Sequence, residues 1–210
     1  MTEPVYSAEA FRRRALNQNG NPIEDAWREH GDHVLNPSFV DLALALQLKD
    51  AAVLVPVVDD GEDAKVILTQ RTSTLRKHSG QIAFPGGAID PEDGSAENAA
   101  LREAEEEIGL DRRFVQPIAR LPRYYSSTGF RITPVLAVVE RGFDLRLNPT
   151  EVDEAFEVPL AFLMNAQNHQ RGSRVLEGAE RQFYVMPYGE RNIWGITAGI
   201  LRTLYERLYA

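Results

Sequence analysis

The sequence contains no cysteine, which excludes disulfide bonds, thiolate zinc sites and cysteine nucleophiles. It also has no apolar run near the roughly 18 residues that a membrane-spanning helix needs, so no membrane association is expected. Residues 1–14 lack the apolar stretch of a secretory signal, and we therefore expect a cytoplasmic protein. Hydrophobic residues still make up 43% of the chain, which is enough for an ordinary core.

Positive charge is scarce as well. The 210 residues include 23 Lys and Arg against 31 Asp and Glu, for a net charge of −8. Proteins that bind nucleic acid broadly need a basic surface, so no nucleic-acid partner is expected. A small phosphorylated partner remains compatible with this charge, because bound cations can reverse its sign locally.

The length suits one domain with extensions. We predict that residues 1–49 form an N-terminal helical extension and that residues 50–210 form the main domain. The extension contains a short helical candidate at 7–16. Its role is open: it is compatible with a homodimer contact, with a cover over the functional site, or with neither.

From residue 51 onward, strand-like and helix-like patterns alternate. Short apolar runs predict strands at 51–58, 65–71, 81–84, 114–121, 133–139 and 183–185, and amphipathic patterns predict helices at 96–108 and 193–209. Because hairpins are mixed with helices, we expect an α/β (α+β) fold with a mixed sheet covered by helices.

The helix at 96–108 is unusually acidic. Glu103, Glu106 and Glu107 stand at i, i+3 and i+4, so three carboxylates share one face. Such carboxylates repel one another, and the C-terminal half of a helix disfavours anions. Mg²⁺ or Mn²⁺ would reverse that repulsion, since both prefer oxygen ligands. The alternative is a solvated acidic face without a ligand.

A tight glycine turn precedes this helix and favours the metal interpretation. Gly86 and Gly87 follow Phe84-Pro85 and allow the backbone to approach a ligand or metal closely. Arg102 stands four residues before Glu106 and is placed to orient that carboxylate.

Residues 87–110 resemble the signature box of the Nudix hydrolases, which ends in R-E-U-x-E-E-x-G-U, where U is aliphatic. The second half is matched by Arg102, Glu103, Ala104, Glu106, Glu107, Gly109 and Leu110. The first half departs from the general pattern. Counted from Gly87, Arg102 falls one residue late, and Gly94 stands where an upstream glutamate would align. We therefore give that glutamate's role to no residue.

Residues 67–87 are similar to a motif of the coenzyme A diphosphatases within that family, L-L-T-x-R-[S/A]-x3-R-x3-G-x3-F-P-G-G. The matching positions are Leu68, Thr69, Arg71, Arg76, Gly80, Phe84, Pro85, Gly86 and Gly87. Ile67 and Thr72 replace the first leucine and the small residue.

The resemblance implies a Nudix-fold α/β/α sandwich and metal-dependent hydrolysis of coenzyme A or acyl-CoA to 3′,5′-ADP and a 4′-phosphopantetheine. It implies that Mg²⁺ or Mn²⁺ is held by the three glutamates and a carbonyl of the glycine turn, with Arg102 in support. Glu103 is one candidate for the general base. Glu151 and Glu154 are candidates for a further ligand or base, or belong to a solvated acidic turn.

For the substrate, Arg71 and Arg76 are candidates to bind phosphates, including the 3′-phosphate of coenzyme A. The alternative for each is a pair with a surface carboxylate. Tyr124, Tyr125 and Phe130 either stack on an adenine or belong to an ordinary hairpin, and we predict that Trp194 lies in the core.

Two other functions stay open. One is a Nudix diphosphatase for ADP-ribose, NADH or a nucleoside triphosphate, because the box does not read the base or sugar. The other is a non-catalytic nucleotide-binding module. That function is disfavoured, since such a module is expected to have lost the box carboxylates that this sequence keeps.

Overall fold

The computed structural model describes residues 4–37, 48–61, 63–73, 80–176 and 179–210. Its helices are α1 (Ala8–Leu16), α2 (Asp32–Leu35), α3 (Ala96–Ile108), α4 (Leu160–Leu163) and α5 (Ile196–Leu208). Its strands are β1 (Lys49–Val58), β2 (Lys65–Arg71), β3 (Ile82–Ala83), β4 (Gly86–Ala88), β5 (Val115–Arg120), β6 (Tyr124–Tyr125), β7 (Phe130–Val139), β8 (Val152–Pro159), β9 (Gln170–Leu176), β10 (Ala179–Tyr188) and β11 (Arg191–Trp194).

The larger sheet has the strand order β3-β2-β1-β7-β5, with β4 beside β1, β6 beside β7 and β8 beside β2. Strands β1 and β7 run parallel, whereas the other strand pairs of this sheet are antiparallel. A smaller antiparallel sheet has the order β11-β10-β9. The predicted mixed sheet is confirmed.

Helices cover both faces of the larger sheet. Alternation along β1 sends Val55 and Val57 to one core layer, which contains Phe11 of α1 and residues of α5. It sends Leu54 and Val58 to the opposite layer, against α3. The chain is therefore an α/β/α sandwich, as predicted, and helix α1 of the N-terminal segment packs into the same core as α5.

Local sequence signals set the limits of α3. The Ser95 hydroxyl accepts a hydrogen bond of 3.1 Å from the backbone N–H of Asn98, and Gly109 ends the helix in the left-handed conformation with φ 66°. Ala100, Ala104 and Ile108 face the sheet and are buried. These residues fix the rotation of the helix and turn Glu103 and Glu107 toward β4.

The strands of the second half of the chain differ most from the prediction. The strand expected at 183–185 is the middle of the longer β10, while β8, β9 and β11 were not predicted. Charged residues interrupt β8 and β9, so neither shows a clear apolar alternation. Among the described helices, none has the length and apolar character to cross a membrane.

Candidate metal and diphosphate site

Glu107 is the most deeply placed acid of the site, with only 1% of its surface exposed. One carboxylate oxygen accepts from the backbone N–H of Gly86 at 3.1 Å, and the other accepts from the Arg71 guanidinium at 3.0 Å. Burial raises the pKa of Glu107 to about 7, although both donors oppose the shift. The negative charges of Glu103 and Glu151 raise this pKa further.

Glu103 lies directly against the glycine turn. A Cβ atom at Gly87 would stand 2.5 Å from a carboxylate oxygen of Glu103, so the turn comes this close because residue 87 has no side chain. Burial also raises the pKa of Glu103, and the Arg102 guanidinium opposes that shift. The turn and the helix therefore enclose a partly desolvated carboxylate.

Arg102 connects two of the glutamates. Its Nη1 donates to Glu103 at 3.0 Å and to Glu106 at 3.1 Å. Its Nη2 donates to the carbonyl of Ala88 at 3.2 Å. Arg102 therefore occupies the position expected for a residue that orients the carboxylates.

Asp93 holds the other edge of the Arg102 guanidinium and was given no role by the sequence. Its two oxygens accept from Nε and Nη2 of Arg102 at 2.8 and 3.0 Å, and this pairing lowers the pKa of Asp93. Asp93 ends the short 3-10 helix Pro91–Asp93 that precedes α3. The sequence offered one signal for Asp93, which is its position beside Gly94, where the upstream glutamate of the box would align. Its pairing with Arg102 depends on the fold of the loop.

The two loop glutamates have different neighbours. Glu154 accepts from the Arg191 guanidinium at 2.5 Å and is directed toward β11. Glu151 accepts from the side-chain amide of Asn148 at 3.2 Å, and its charge acts on both Glu103 and Glu107. Of the two candidates, Glu151 is therefore the one beside the carboxylate cluster (Glu103, Glu106 and Glu107).

The chemistry of the carboxylate cluster fits a hard divalent cation, because every side-chain donor is an oxygen and burial leaves the charges of Glu103 and Glu107 poorly solvated, whereas Glu106 is exposed. Within the described ranges, however, no three such side chains are gathered around a single point. Arg102 engages Glu103 and Glu106, while Arg71 engages Glu107. A cation in the cluster would therefore compete with two guanidinium groups.

A cavity of about 570 Å³, here called the first cavity, opens beside Gly86, Gly87 and Arg71. Phe130, Phe183 and Trp194 contribute aromatic surface to its walls, which are otherwise largely apolar. The prediction that Trp194 belongs to the core is wrong. Its ring is only partly buried and packs against Phe183 at a centroid distance of 5.3 Å, because β10 and β11 pair at the cavity edge.

Of the three aromatic residues around the predicted turn, Phe130 lines the first cavity. Tyr124 is buried and donates its hydroxyl to Asp32 at 2.5 Å, and Tyr125 packs on Trp27. Arg76, the second predicted phosphate ligand, lies outside the described residues.

Three comparisons extend these observations. The sequence pattern of the NUDIX domain matches residues 48–177. The Nudix hydrolase NudL of Photorhabdus laumondii is 38% identical over 160 residues, which cover 76% of this chain and 85% of that protein. The NudL protein of Escherichia coli K12 is 40% identical over 159 residues, with coverages of 76% and 82%.

The solved structure of DR0079 from Deinococcus radiodurans has a TM-score of 0.50 and 15% sequence identity, covering 77% of this chain and 86% of that one. At this identity the likeness concerns the fold alone.

Proposed function

This chain belongs to the Nudix hydrolase family, and on that premise we propose that it hydrolyses the diphosphate bond of coenzyme A or acyl-CoA. The family supports an enzyme that cleaves nucleoside diphosphate derivatives with the help of divalent metal ions. The products of the proposed reaction are 3′,5′-ADP and 4′-phosphopantetheine or its acyl form.

The observation that carries this proposal is the position of Arg71. The segment 67–87, which is similar to the coenzyme A diphosphatase motif, contributes both Arg71 and the glycine turn to the first cavity. Arg71 also pairs with Glu107 of the box helix at 3.0 Å. The substrate-related segment and the metal-related helix thus meet at one edge of one cavity.

We propose that Glu103, Glu106 and Glu107 hold Mg²⁺ or Mn²⁺, with the carbonyl of Gly86 and the carboxylate of Glu151 as further ligands. A bound divalent ion supplies charge neutralisation on the diphosphate oxygens and acidifies the attacking water.

Two arginine side chains position the carboxylates. Arg102 fixes the orientation of Glu103 and Glu106, and Arg71 holds Glu107 while its guanidinium faces the cavity. For the proton of the attacking water, we propose Glu103 or Glu151 as the acceptor, the two carboxylates that the sequence and the loop contacts leave as candidates.

The residues that line the first cavity have a chemistry that supports the proposed substrate. Its partly exposed aromatic rings, Phe183 and Trp194, offer a flat surface for an adenine, and Ile82, Phe84 and Ile132 offer apolar contact for a pantetheine arm. Arg174 lies on the same wall and carries the charge that a phosphate outside the scissile bond needs.

A product assay tests the proposal. Coenzyme A, an acyl-CoA, ADP-ribose, NADH and deoxynucleoside triphosphates would be compared with Mg²⁺ and with Mn²⁺, and the products separated by chromatography. We expect the highest kcat/KM for a coenzyme A substrate, with release of 3′,5′-ADP. A higher kcat/KM for ADP-ribose, NADH or a triphosphate would overturn the substrate assignment, and binding without any product would overturn the catalytic one. Glu107→Gln protein, purified in parallel, controls for contaminating hydrolases.

A further inference from the structure

A second cavity, of about 710 Å³, lies between the N-terminal segment and the side of the sheet formed by β5 and β6. Its walls come from residues of 15–27, from β5 and from the end of α5, and it shares no lining residue with the first cavity. The volume falls in the range of ordinary small-molecule sites. The second cavity is therefore large enough for a ligand and independent of the carboxylate cluster.

The second cavity contains an unusual buried cation, Arg207, which is only 4% exposed. Its Nη1 donates to the carbonyl of Asn21 at 2.9 Å, and its Nε donates to the side-chain oxygen of Gln18 at 3.4 Å. Both acceptors are neutral. Among the residues that the structure describes, Arg207 forms no ion pair, and Glu29 acts on it only through its charge.

A buried charge without a counter-ion is costly, and proteins normally pair such a group. Burial lowers the pKa of Arg207, in keeping with that cost. The loop of the N-terminal segment nevertheless closes tightly around the guanidinium. Gly20 has φ +87°, and a Cβ atom there would stand 2.6 Å from Nη1 of Arg207. The fold thus holds a poorly compensated cation at the cavity wall.

The residues that line the second cavity carry more positive than negative charge, because Arg120, Arg123 and Arg207 face one carboxylate, Glu24. Arg120 is engaged by Glu97, and two carboxylates outside the lining, Glu29 and Asp50, act on Arg207 and Arg123. In a chain with a net charge of −8, a cavity with this balance is a distinctive place for an anion.

An aromatic wall stands next to these cations. The Trp27 ring packs on Tyr125 with a centroid distance of 4.7 Å, and the Arg28 guanidinium lies 5.3 Å from the same ring. Both rings are partly exposed and line the cavity. Fixed aromatic rings of this kind provide a flat apolar surface for a planar ring of a ligand. The cavity therefore combines arginine side chains, which can bind an anionic group, with aromatic rings, which can pack on an aromatic group.

We propose that the second cavity binds a nucleoside monophosphate, whose phosphate pairs with Arg207 and Arg123 and whose base packs on Trp27. This site is separate from the hydrolytic one and does not depend on its substrate.

The chain itself supplies a probe for this site, because its two tryptophans, Trp27 and Trp194, lie in different cavities. In a Trp194→Phe background, Trp27 is the only tryptophan and reports on the second cavity. The protein would be titrated with AMP, adenosine and inorganic phosphate in EDTA, with excitation at the red edge of tryptophan absorption.

We expect a saturable change of Trp27 fluorescence with AMP. Adenosine and inorganic phosphate should each bind at least about 10-fold more weakly, because each lacks one of the two groups recognised, and charged hydrogen bonds contribute at this level. Arg123→Gln should weaken AMP binding by a similar factor. Arg113→Gln, which removes another exposed charge outside the cavity, should leave AMP binding unchanged.

Arg207→Gln should abolish AMP binding, provided that its far-UV circular dichroism matches the parent protein. Arg207 also anchors the N-terminal loop, so the Arg207→Gln variant can misfold. In that case the Arg123→Gln variant decides the test, because Arg123 is exposed. The proposal is overturned if AMP gives no saturable signal, if adenosine or phosphate binds as tightly as AMP, or if Arg123→Gln and Arg113→Gln behave alike. An additional Arg71→Ala variant should bind AMP with unchanged affinity. If that variant loses AMP affinity, AMP binds in the first cavity and the proposal is contradicted.

Discussion

Arg71 and Glu107 form an ion pair of 3.0 Å although 36 residues separate them in the sequence. Glu107 is buried, whereas 25% of the Arg71 side chain is exposed. Arg71 lines the first cavity. The pair joins the end of β2 to the acidic helix α3. Arg71 stands at the end of β2 but pairs with a buried carboxylate and not with a surface one, and its binding of a substrate phosphate stays a prediction.

The carboxylate cluster should be essential for turnover. Glu106→Gln and Glu107→Gln should each reduce kcat by at least about 100-fold, because loss of a metal ligand costs more than the 10- to 100-fold typical of residues that support one. Glu105→Gln is the matched control, since Glu105 lies on the same helix but binds Arg112. Steady-state kinetics with Mg²⁺ checks this, and near wild-type turnover of either variant would remove that residue from the metal site.

The pKa of Glu107 predicts a pH-dependent stability of the metal-free protein. Burial raises this pKa from 4.5 to about 7, so the contribution of protonated Glu107 is fully present below the unfolded value and is lost as the pH rises through about 7. Between about pH 5 and pH 8, the free energy of unfolding should fall by about 2–3 kcal/mol more in the wild type than in Glu107→Gln, at 1.36 kcal/mol per pKa unit.

Urea denaturation in EDTA at both pH values measures this difference. The exposed control Glu105→Gln should follow the wild type. If the wild type and Glu107→Gln lose equal stability over this pH range, Glu107 does not titrate as its burial implies.

Arg71→Ala should separate two roles of one guanidinium. Loss of the pair with Glu107 should reduce kcat on every substrate, because the carboxylate loses a charged donor. If Arg71 also binds the coenzyme, the KM for coenzyme A should rise by about 10-fold more than the KM for ADP-ribose, as expected for one charged hydrogen bond. Parallel kinetics on both substrates decide between these roles, and equal KM changes would leave Arg71 with a positioning role only.

Asp93→Asn should lower kcat without a comparable change in KM. Asp93 accepts two hydrogen bonds from Arg102, which in turn orients Glu103 and Glu106, so the expected loss is about 10- to 100-fold. Asp90→Asn is the control, because the Asp90 carboxylate is exposed and lies 3.6 Å from the same guanidinium. Equal effects of the two substitutions would show that charge near Arg102 matters and that the two-point contact of Asp93 does not.

Local features of the site were readable from the sequence. The limits of α3 follow from Ser95, Gly109 and the apolar spacing between them, and all of these act within a few residues. The shared face of the three glutamates follows from the helical repeat in the same way. The mixed sheet covered by helices was predicted because hairpins and helices are mixed along the chain.

Relationships between distant segments were not readable in this way. The sequence left Glu151 and Glu154 equivalent, and only the folded loop places Glu151 beside the carboxylate cluster. It gave Asp93 no role and assigned Trp194 to the core. The partner of Asp93 and the exposure of Trp194 depend on how loops and the smaller sheet pack against the rest.

The sequence by itself therefore determined a capped helix with three carboxylates on one face, beside a glycine turn. The shared face arises from the helical repeat, and the tight turn arises from glycine residues. Both effects act within a few residues of the chain. The tertiary structure decided which carboxylate is buried, which guanidinium binds it and which residues form the two cavities. Desolvation and charge pairing depend on atoms brought together from across the chain, and no local pattern in the sequence records them.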